Sequence, residues 1–172
     1  CNFKFADEHR KIFSALKKMS RATFWPLQFA VEGKADSATV KLYVSANFDE
    51  KGANQCLVHE KLERLFALLR LRYGDVRKKL IFRDVDSFGF NFFEDDGLYE
   101  MKIYPYCAPP VDMRRIKDQC LSRQIREGSM LDAYLKLLKR LPIKYWGQML
   151  RISSAGVFSG MKLWARFLYG ME

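Results

Sequence analysis

Three times along this chain of 172 residues a lysine stands two places before a large aromatic residue: Lys41-Leu42-Tyr43, Lys102-Ile103-Tyr104 and Lys162-Leu163-Trp164. The lysines recur at intervals of 61 and 60 residues. Each triplet lies where polar and apolar residues alternate, the pattern of a half-buried strand, and residues two apart on a strand share a face. Each therefore sets an ammonium beside a π surface. Such pairs suit a ligand that is anionic at one end and apolar, or transiently cationic, at the other.

The rest of the composition narrows the setting. Hydrophobic residues make up 49% and aromatics 15%, which describes a globular chain rich in rings. The length fits one domain, 1–172, with a real core. Cys1, Cys56, Cys107 and Cys120 form no CxxC pair, and neither His9 nor His59 neighbours any of them. Neither a zinc site nor a disulfide framework is expected, and reduced thiols in a cytoplasmic setting are. Cys56, Cys107 and Cys120 read as small buried apolar residues. No apolar run reaches transmembrane length and no signal peptide is visible, so no membrane partner is expected. The first residue is Cys, not Met, and the reading is of a partial chain. The net charge of +10 divides into +4 over 1–35, −1 over 36–107 and +7 over 108–172. A basic C-terminal third suits nucleic acid or an anionic surface, or simply solvated helix faces.

The elements that must position the lysines follow from periodicity. Residues 7–19 read as a helix on Ile12, Phe13, Leu16 and Met19, with Asp7 and Glu8 at its positive end and Trp25-Pro26 breaking the chain beyond it. Leu27 to Glu32 and Ala38 to Ala46 read as strands around a turn. Asn54 to Tyr73 carries a wide apolar stripe and is expected to be one helix ended by Gly74. Strands around Phe88–Phe93 and Leu98–Tyr106 flank Glu94-Asp95-Asp96-Gly97, a hairpin turn. Helices are expected over Asp112–Glu127 and Met130–Leu141, and strands over Met149–Phe158 and Met161–Tyr169 turning at Ser159-Gly160. The whole is an α+β chain of about three αββ units, 1–46, 54–106 and 112–169, with each lysine-aromatic pair on the second strand of its hairpin.

Val40/Leu42/Val44, Tyr99/Met101/Ile103 and Leu163/Ala165/Phe167 form apolar faces that helices must cover. The lysines then point the other way, with Tyr43, Tyr104, Tyr106 and Trp164 and, on this reading, Phe88, Phe90 and Phe92. So many rings facing water would make an unusually large exposed apolar patch. An antiparallel sheet that curls into a partial β-barrel with helices outside would turn them into a lumen.

These residues resemble a known family. The αββ units, the lysine-aromatic pairs and the run Val85-Asp86-Ser87-Phe88-Gly89-Phe90-Asn91-Phe92-Phe93 with Tyr99-Glu100-Met101-Lys102-Ile103-Tyr104 look like the soluble aromatic prenyltransferases of the ABBA, or PT-barrel, type. The phrase Gly-Phe-Asn-Phe, turn, Glu-Met-Lys-Ile-Tyr is most similar to the cyanobactin peptide prenyltransferases. Ala38–Tyr43 resembles the inward strand of the preceding unit, and Leu150–Ser154 with Gly160–Trp164 a later one. The resemblance covers most of 24–169 through short motifs. It implies a barrel of about ten strands built from five αββ units, of which this chain supplies three.

It also implies an activity. Such enzymes ionise an allylic diphosphate, such as dimethylallyl diphosphate, and an electron-rich aromatic or peptide acceptor captures the carbocation in natural-product biosynthesis. The resemblance assigns Lys41, Lys102 and Lys162 to the diphosphate, with Arg151 and Arg166 as auxiliaries, and Tyr43, Tyr104 and Trp164 to shielding of the cation. Mg2+ enters on the substrate diphosphate if at all, and no organic cofactor is implied. The family's acidic residue near the acceptor belongs to its first unit and is not placed here, which leaves the general base unassigned. Asp95-Asp96 reads as a turn rather than a metal box, and Arg83-Asp84-Val85-Asp86 as a charged strand entry rather than a metal site. Two other readings compete: a basic nucleic-acid-binding module with rings on its sheet, and an inactive barrel-like peptide-binding protein.

Overall fold

A computed structural model describes residues 3–19, 25–34, 37–45, 55–94, 97–107, 114, 118, 133, 136 and 143–167. In chain order the elements are α1 (Asp7–Lys18), β1 (Trp25–Lys34), β2 (Ser37–Ser45), α2 (Gln55–Leu68), α3 (Tyr73–Arg77), β3 (Asp84–Phe93), β4 (Tyr99–Cys107), β5 (Ile143–Ser153) and β6 (Phe158–Phe167). Arg114, Asp118, Ala133 and Lys136 are helical and exposed; the rest of the two helices expected over 112–141 lies outside the described residues.

The six strands form one antiparallel sheet in sequence order, β1 to β6. It is an α+β fold, and among the described residues the sheet is open, with β1 and β6 as its two ends. Directly opposed residues share a face, so the register assigns sides. Val40 pairs with Phe92 and Leu42 with Phe90; Phe90 then pairs with Met101 and Phe88 with Ile103. These side chains are buried with Ile12 and Ala15 of α1 and Val58, Leu62, Leu65 and Phe66 of α2 in a single core. The expected helix-covered faces of β2 and β4 are thus found.

Phe88, Phe90 and Phe92 are not on the lysine face as the sequence suggested. The strand's phase puts Ser87, Gly89 and Asn91 there, and the three phenylalanines lie in the core, Phe88 edge-on to Phe90 at 5.9 Å and Phe90 stacked on Phe92 at 6.0 Å. A run of alternate phenylalanines says only that one face is apolar; the neighbours' register says which.

α1 carries Asp7 and Glu8 in its first turn and Lys17 and Lys18 in its last, matching the helix dipole. His9, fully buried, accepts a hydrogen bond from the Ala6 backbone N–H at Nδ1 (3.3 Å) and donates from Nε2 to the Leu98 carbonyl (2.6 Å). It joins the first helix to the β3–β4 hairpin, a structural task.

α2 ends earlier than Gly74. Arg70 takes a left-handed φ of 59°, and Leu71 and Arg70 donate to the Phe66 and Ala67 carbonyls at 2.8 and 3.0 Å. That 6→1 and 5→2 pair closes the helix in a Schellman turn without a glycine. Gly74 instead lies within α3. The last hairpin also turns elsewhere: Gly156 holds the positive φ (78°) and Ser153 N–H donates to the Val157 carbonyl, so Ser159 and Gly160 belong to β6.

The link from α3 to β3 is fastened by Gln148 of β5, which is fully buried. Its Oε1 accepts from Ile81 N–H at 2.9 Å, and its Nε2 donates to the Lys79 carbonyl at 3.3 Å. Gln148→Leu keeps the volume but strands a buried donor and an acceptor, each costing about 1–3 kcal/mol. Urea unfolding should show a loss in that range; a loss below about 0.5 kcal/mol would mean that water replaces the amide.

Candidate functional site

On the face away from α1 and α2, the register lays side chains in rows. Lys41, Asn91, Glu100 and Ser153 form one; Tyr43, Gly89, Lys102, Arg151 and Gly160 the next. Ser45, Ser87 and Tyr104 form a third, and Tyr106, Gly147 and Trp164 continue toward the far end. This face is not simply solvated. Lys102 is only 9% exposed, and Ser45, Ser87 and Asn91 are also buried.

Lys102 and Arg151 are direct cross-strand neighbours, and Lys41 stands one row away across β3. Burial pulls the Lys102 ammonium below its usual pKa; Glu100 opposes that, while Arg151 and Lys41 add to it. Two carboxylates hold the cluster together in the free protein. Glu32 lies 2.5 Å from the Lys41 ammonium, and Glu100 lies 3.9 Å from that of Lys102. Glu100 also accepts from Asn91 Nδ2 (3.4 Å) and Ser159 Oγ (3.5 Å). Ser45 Oγ is buried with no hydrogen-bond partner among the described residues, an orphan polar atom on the same face.

The rings of the three triplets meet. Tyr43 and Tyr104 have centroids 6.0 Å apart, and Tyr104 and Trp164 6.4 Å, so one aromatic ribbon runs from β2 to β6. Such spacing is that of favourable tilted pairs. It is possible because the strands in between carry glycine. A Cβ on Gly89 would come 2.6 Å from the Leu42 carbonyl oxygen and 3.3 Å from the Tyr43 ring, and one on Gly147 would collide with the Trp164 indole. Both rings lie down over bare backbone. Gly147→Ala should lift the indole and cost about 1–3 kcal/mol, the range for overpacking, with a change in tryptophan emission. Wild-type emission and stability in that variant would show that the indole does not rest there.

The Tyr104 hydroxyl is pushed well above the ordinary phenol range, first by burial and then by the Tyr43 hydroxyl, so it stays a neutral hydrogen-bond donor. Lys162 and Arg166 are exposed on the edge strand β6, and the charges that act on Lys102 are those of Glu100, Arg151, Lys41 and Glu32. Lys162 opposes Met149, and Arg166 opposes Tyr145 beyond Trp164. The structure therefore brings together Lys41, Lys102, Arg151, Tyr43, Tyr104 and Trp164 on one face and leaves Lys162 and Arg166 at its edge.

Glu32, Glu100, Asn91 and the two glycines escaped the sequence reading. Glu100 had a signal, since it stands two residues before Lys102; Glu32 had none, because its role needs the β1–β2 pairing. His59 accepts from the Tyr73 hydroxyl at Nδ1 (2.6 Å) and donates from Nε2 to the Arg83 carbonyl (2.8 Å), which ties α2 to α3 and to the entry of β3. No group of three or more His, Cys, Asp or Glu that could hold a metal occurs among the described residues. No helix among them is long and apolar enough to cross a membrane.

No family model, curated protein or solved structure matches this chain.

Proposed function

We propose that this face binds an allylic diphosphate and transfers its prenyl group, of dimethylallyl type, to an electron-rich acceptor, an aromatic or peptide side chain. The observation that carries the reading is the burial of Lys102 beside Arg151, on a sheet face that also bears the Tyr43–Tyr104–Trp164 ribbon. A lysine so desolvated needs an anion, and Glu100 at 3.9 Å is a loose partner. The resemblance to the ABBA prenyltransferases points the same way.

In this reading Lys41, Lys102 and Arg151 stabilise the negative charge that builds on departing diphosphate, and their effect is strongest where water is excluded. The Tyr104 phenol can donate to a phosphate oxygen. The rings offer their negative faces to the allylic cation and keep water from it. Lys162 and Arg166 guide the anion toward the face rather than grip it. Mg2+ carried on the diphosphate is compatible with this arrangement, and charge neutralisation by the chain itself falls to the two lysines and the arginine. Closure of the sheet into a barrel, and a cytoplasmic role in natural-product biosynthesis, belong to the same proposal.

The test is incubation of the protein with dimethylallyl diphosphate and peptides containing tyrosine or tryptophan, following diphosphate release and prenylated product by mass spectrometry. Product with both signals supports the reading. Neither signal, across donors of different chain length, overturns it. A nucleic-acid module would instead bind RNA or single-stranded DNA with a steep salt dependence.

A further inference from the structure

One carboxylate on the ring face has no place in the mechanism above. On β3, Val85 opposes Pro105 and Ser87 opposes Tyr104, so two steps on β3 match one on β4 and Asp86 is left without a cross-strand partner. It is the extra residue of a β-bulge. Val85 and Phe88 are both fully buried in the helix-side core, and an unbulged strand has room for an even number of residue steps between them, not three. The bulge thus keeps a carboxylate out of the core and turns it to the other face, the use bulges have beside functional sites.

There Asp86 lines a cavity of about 270 Å³ with Tyr104, Pro105, Tyr106 and Trp164. Three rings, a proline and one carboxylate form its walls. The indole reaches this position because Gly147, opposite both Tyr106 and Trp164, bears no side chain beneath it. Among the described residues no basic side chain forms an ion pair with Asp86. Asp86 is exposed at the mouth of the pocket, and its partial desolvation pushes the carboxyl above the usual range, partly offset by the Ser87 hydroxyl.

We propose that this pocket binds an alkylated ammonium group, seated against the faces of Tyr104, Tyr106 and Trp164 with Asp86 as its counter-ion. Ring faces attract cations, and a carboxylate at the rim completes the charge balance. The choice of an alkylated over a primary ammonium follows from donor counting. A primary ammonium brings three N–H donors that must each find an acceptor, whereas the pocket is walled mainly by ring faces, with the Asp86 carboxylate as its charged acceptor. A trimethylammonium has no donors to satisfy and gains the same ring contact. Arg166 follows Trp164 on the same face of β6 and opposes the cation, so any preference measured is net of its repulsion.

The pocket shares the Tyr104 and Trp164 rings with the proposed prenyl site, but its charge is Asp86 and its test contains no diphosphate, so the two readings fail separately. Choline and its neutral carbon isostere 3,3-dimethylbutan-1-ol are titrated separately into the full chain, with binding read by tryptophan fluorescence and ligand-observed NMR. Choline should bind roughly tenfold more tightly than the alcohol. Asp86→Asn and Trp164→Ala should each bring the two ligands to near parity, and Asp86→Glu should restore most of the preference. Equal affinities in the wild type, binding of neither ligand, or a choline preference that survives Asp86→Asn would overturn the proposal. Asp86 is at the rim, so its substitution decides the matter even if Trp164→Ala fails to fold.

Discussion

Lys102→Ala should lower the rate of diphosphate release from dimethylallyl diphosphate by about 10²- to 10³-fold, the usual effect of removing one pre-set stabiliser of developing charge in a dry site. Its position sets it apart from Lys41 and Lys162: it is the buried one of the three, with Arg151 opposite and Lys41 across β3. Lys162→Ala, at an exposed site outside that group, should change the rate less than about threefold, as screened surface charges do. A sequence reading weights the three lysines equally, and the structure does not. Comparable losses in Lys102→Ala and Lys162→Ala would show that the face closes around its ligand differently.

The same lysine gives a signed pH prediction. Its folded pKa lies below the ordinary lysine value, with desolvation the first cause. Diphosphate binding needs the ammonium and should therefore fall as pH rises through that lowered pKa, on the acid side of 10.5. For stability the sign is opposite. A lysine whose folded pKa is depressed holds its proton more weakly in the native state, so its charge opposes folding at neutral pH and that penalty fades as pH rises. Lys102→Met should lose activity while keeping or raising the thermal midpoint. A parallel loss of both would mean that the ammonium serves the fold, through Glu100, rather than a ligand.

Phe90→Ala is the substitution expected to cost the fold most, about 3–5 kcal/mol against a total of about 5–15 for a domain. Phe90 is 1% exposed and has ring neighbours on three sides, Phe88, Phe92 and Tyr99, at 5.9, 6.0 and 6.1 Å. Truncating it opens a cavity that its packed neighbours can close only in part. Urea unfolding of Phe90→Ala should show that loss, or fail to give a folded protein at all. This separates the two possible faces of β3. Had Phe90 lined the lysine face, its loss would alter ligand contacts and leave stability within about 1 kcal/mol. A result of that kind would overturn the register on which the whole site is built.

What could be read from residues alone was mainly what period and turn chemistry control. The alternation of Val40, Leu42 and Val44 with Lys41 and Tyr43 gave the side of β2, and the Asp-Gly pair located the β3–β4 hairpin near Gly97, which has a positive φ of 66°. Errors came where long-range pairing overrode the local signal. α2 stops at Leu68 because Arg70 accepts a left-handed turn held by the Phe66 and Ala67 carbonyls, and the glycine four places on is then not needed as a stop. Ser159-Gly160 has turn composition but pairs within β6, as Gly160 opposite Arg151.

The site was legible by halves. Its lysines and rings stood out because each pair lies within three residues, and Glu100 could have been added by the same rule. The Glu32–Lys41 contact, the bare glycines beneath Tyr43 and Trp164, and the bulge that turns Asp86 outward all depend on which strands are neighbours. No local pattern carries that information. Closure of the sheet is likewise a matter of what pairs with β1 and β6, on whose helix-side face Phe29 and Val31 of β1 are exposed.

The most direct measurement of the central claim is a calorimetric titration of the wild-type chain, Lys102→Ala and Lys162→Ala with inorganic diphosphate at fixed ionic strength. The account predicts one saturable site in the wild type, weakened at least tenfold by Lys102→Ala and little changed by Lys162→Ala. Absence of a saturable site in the wild type, or equal weakening by both substitutions, would contradict it.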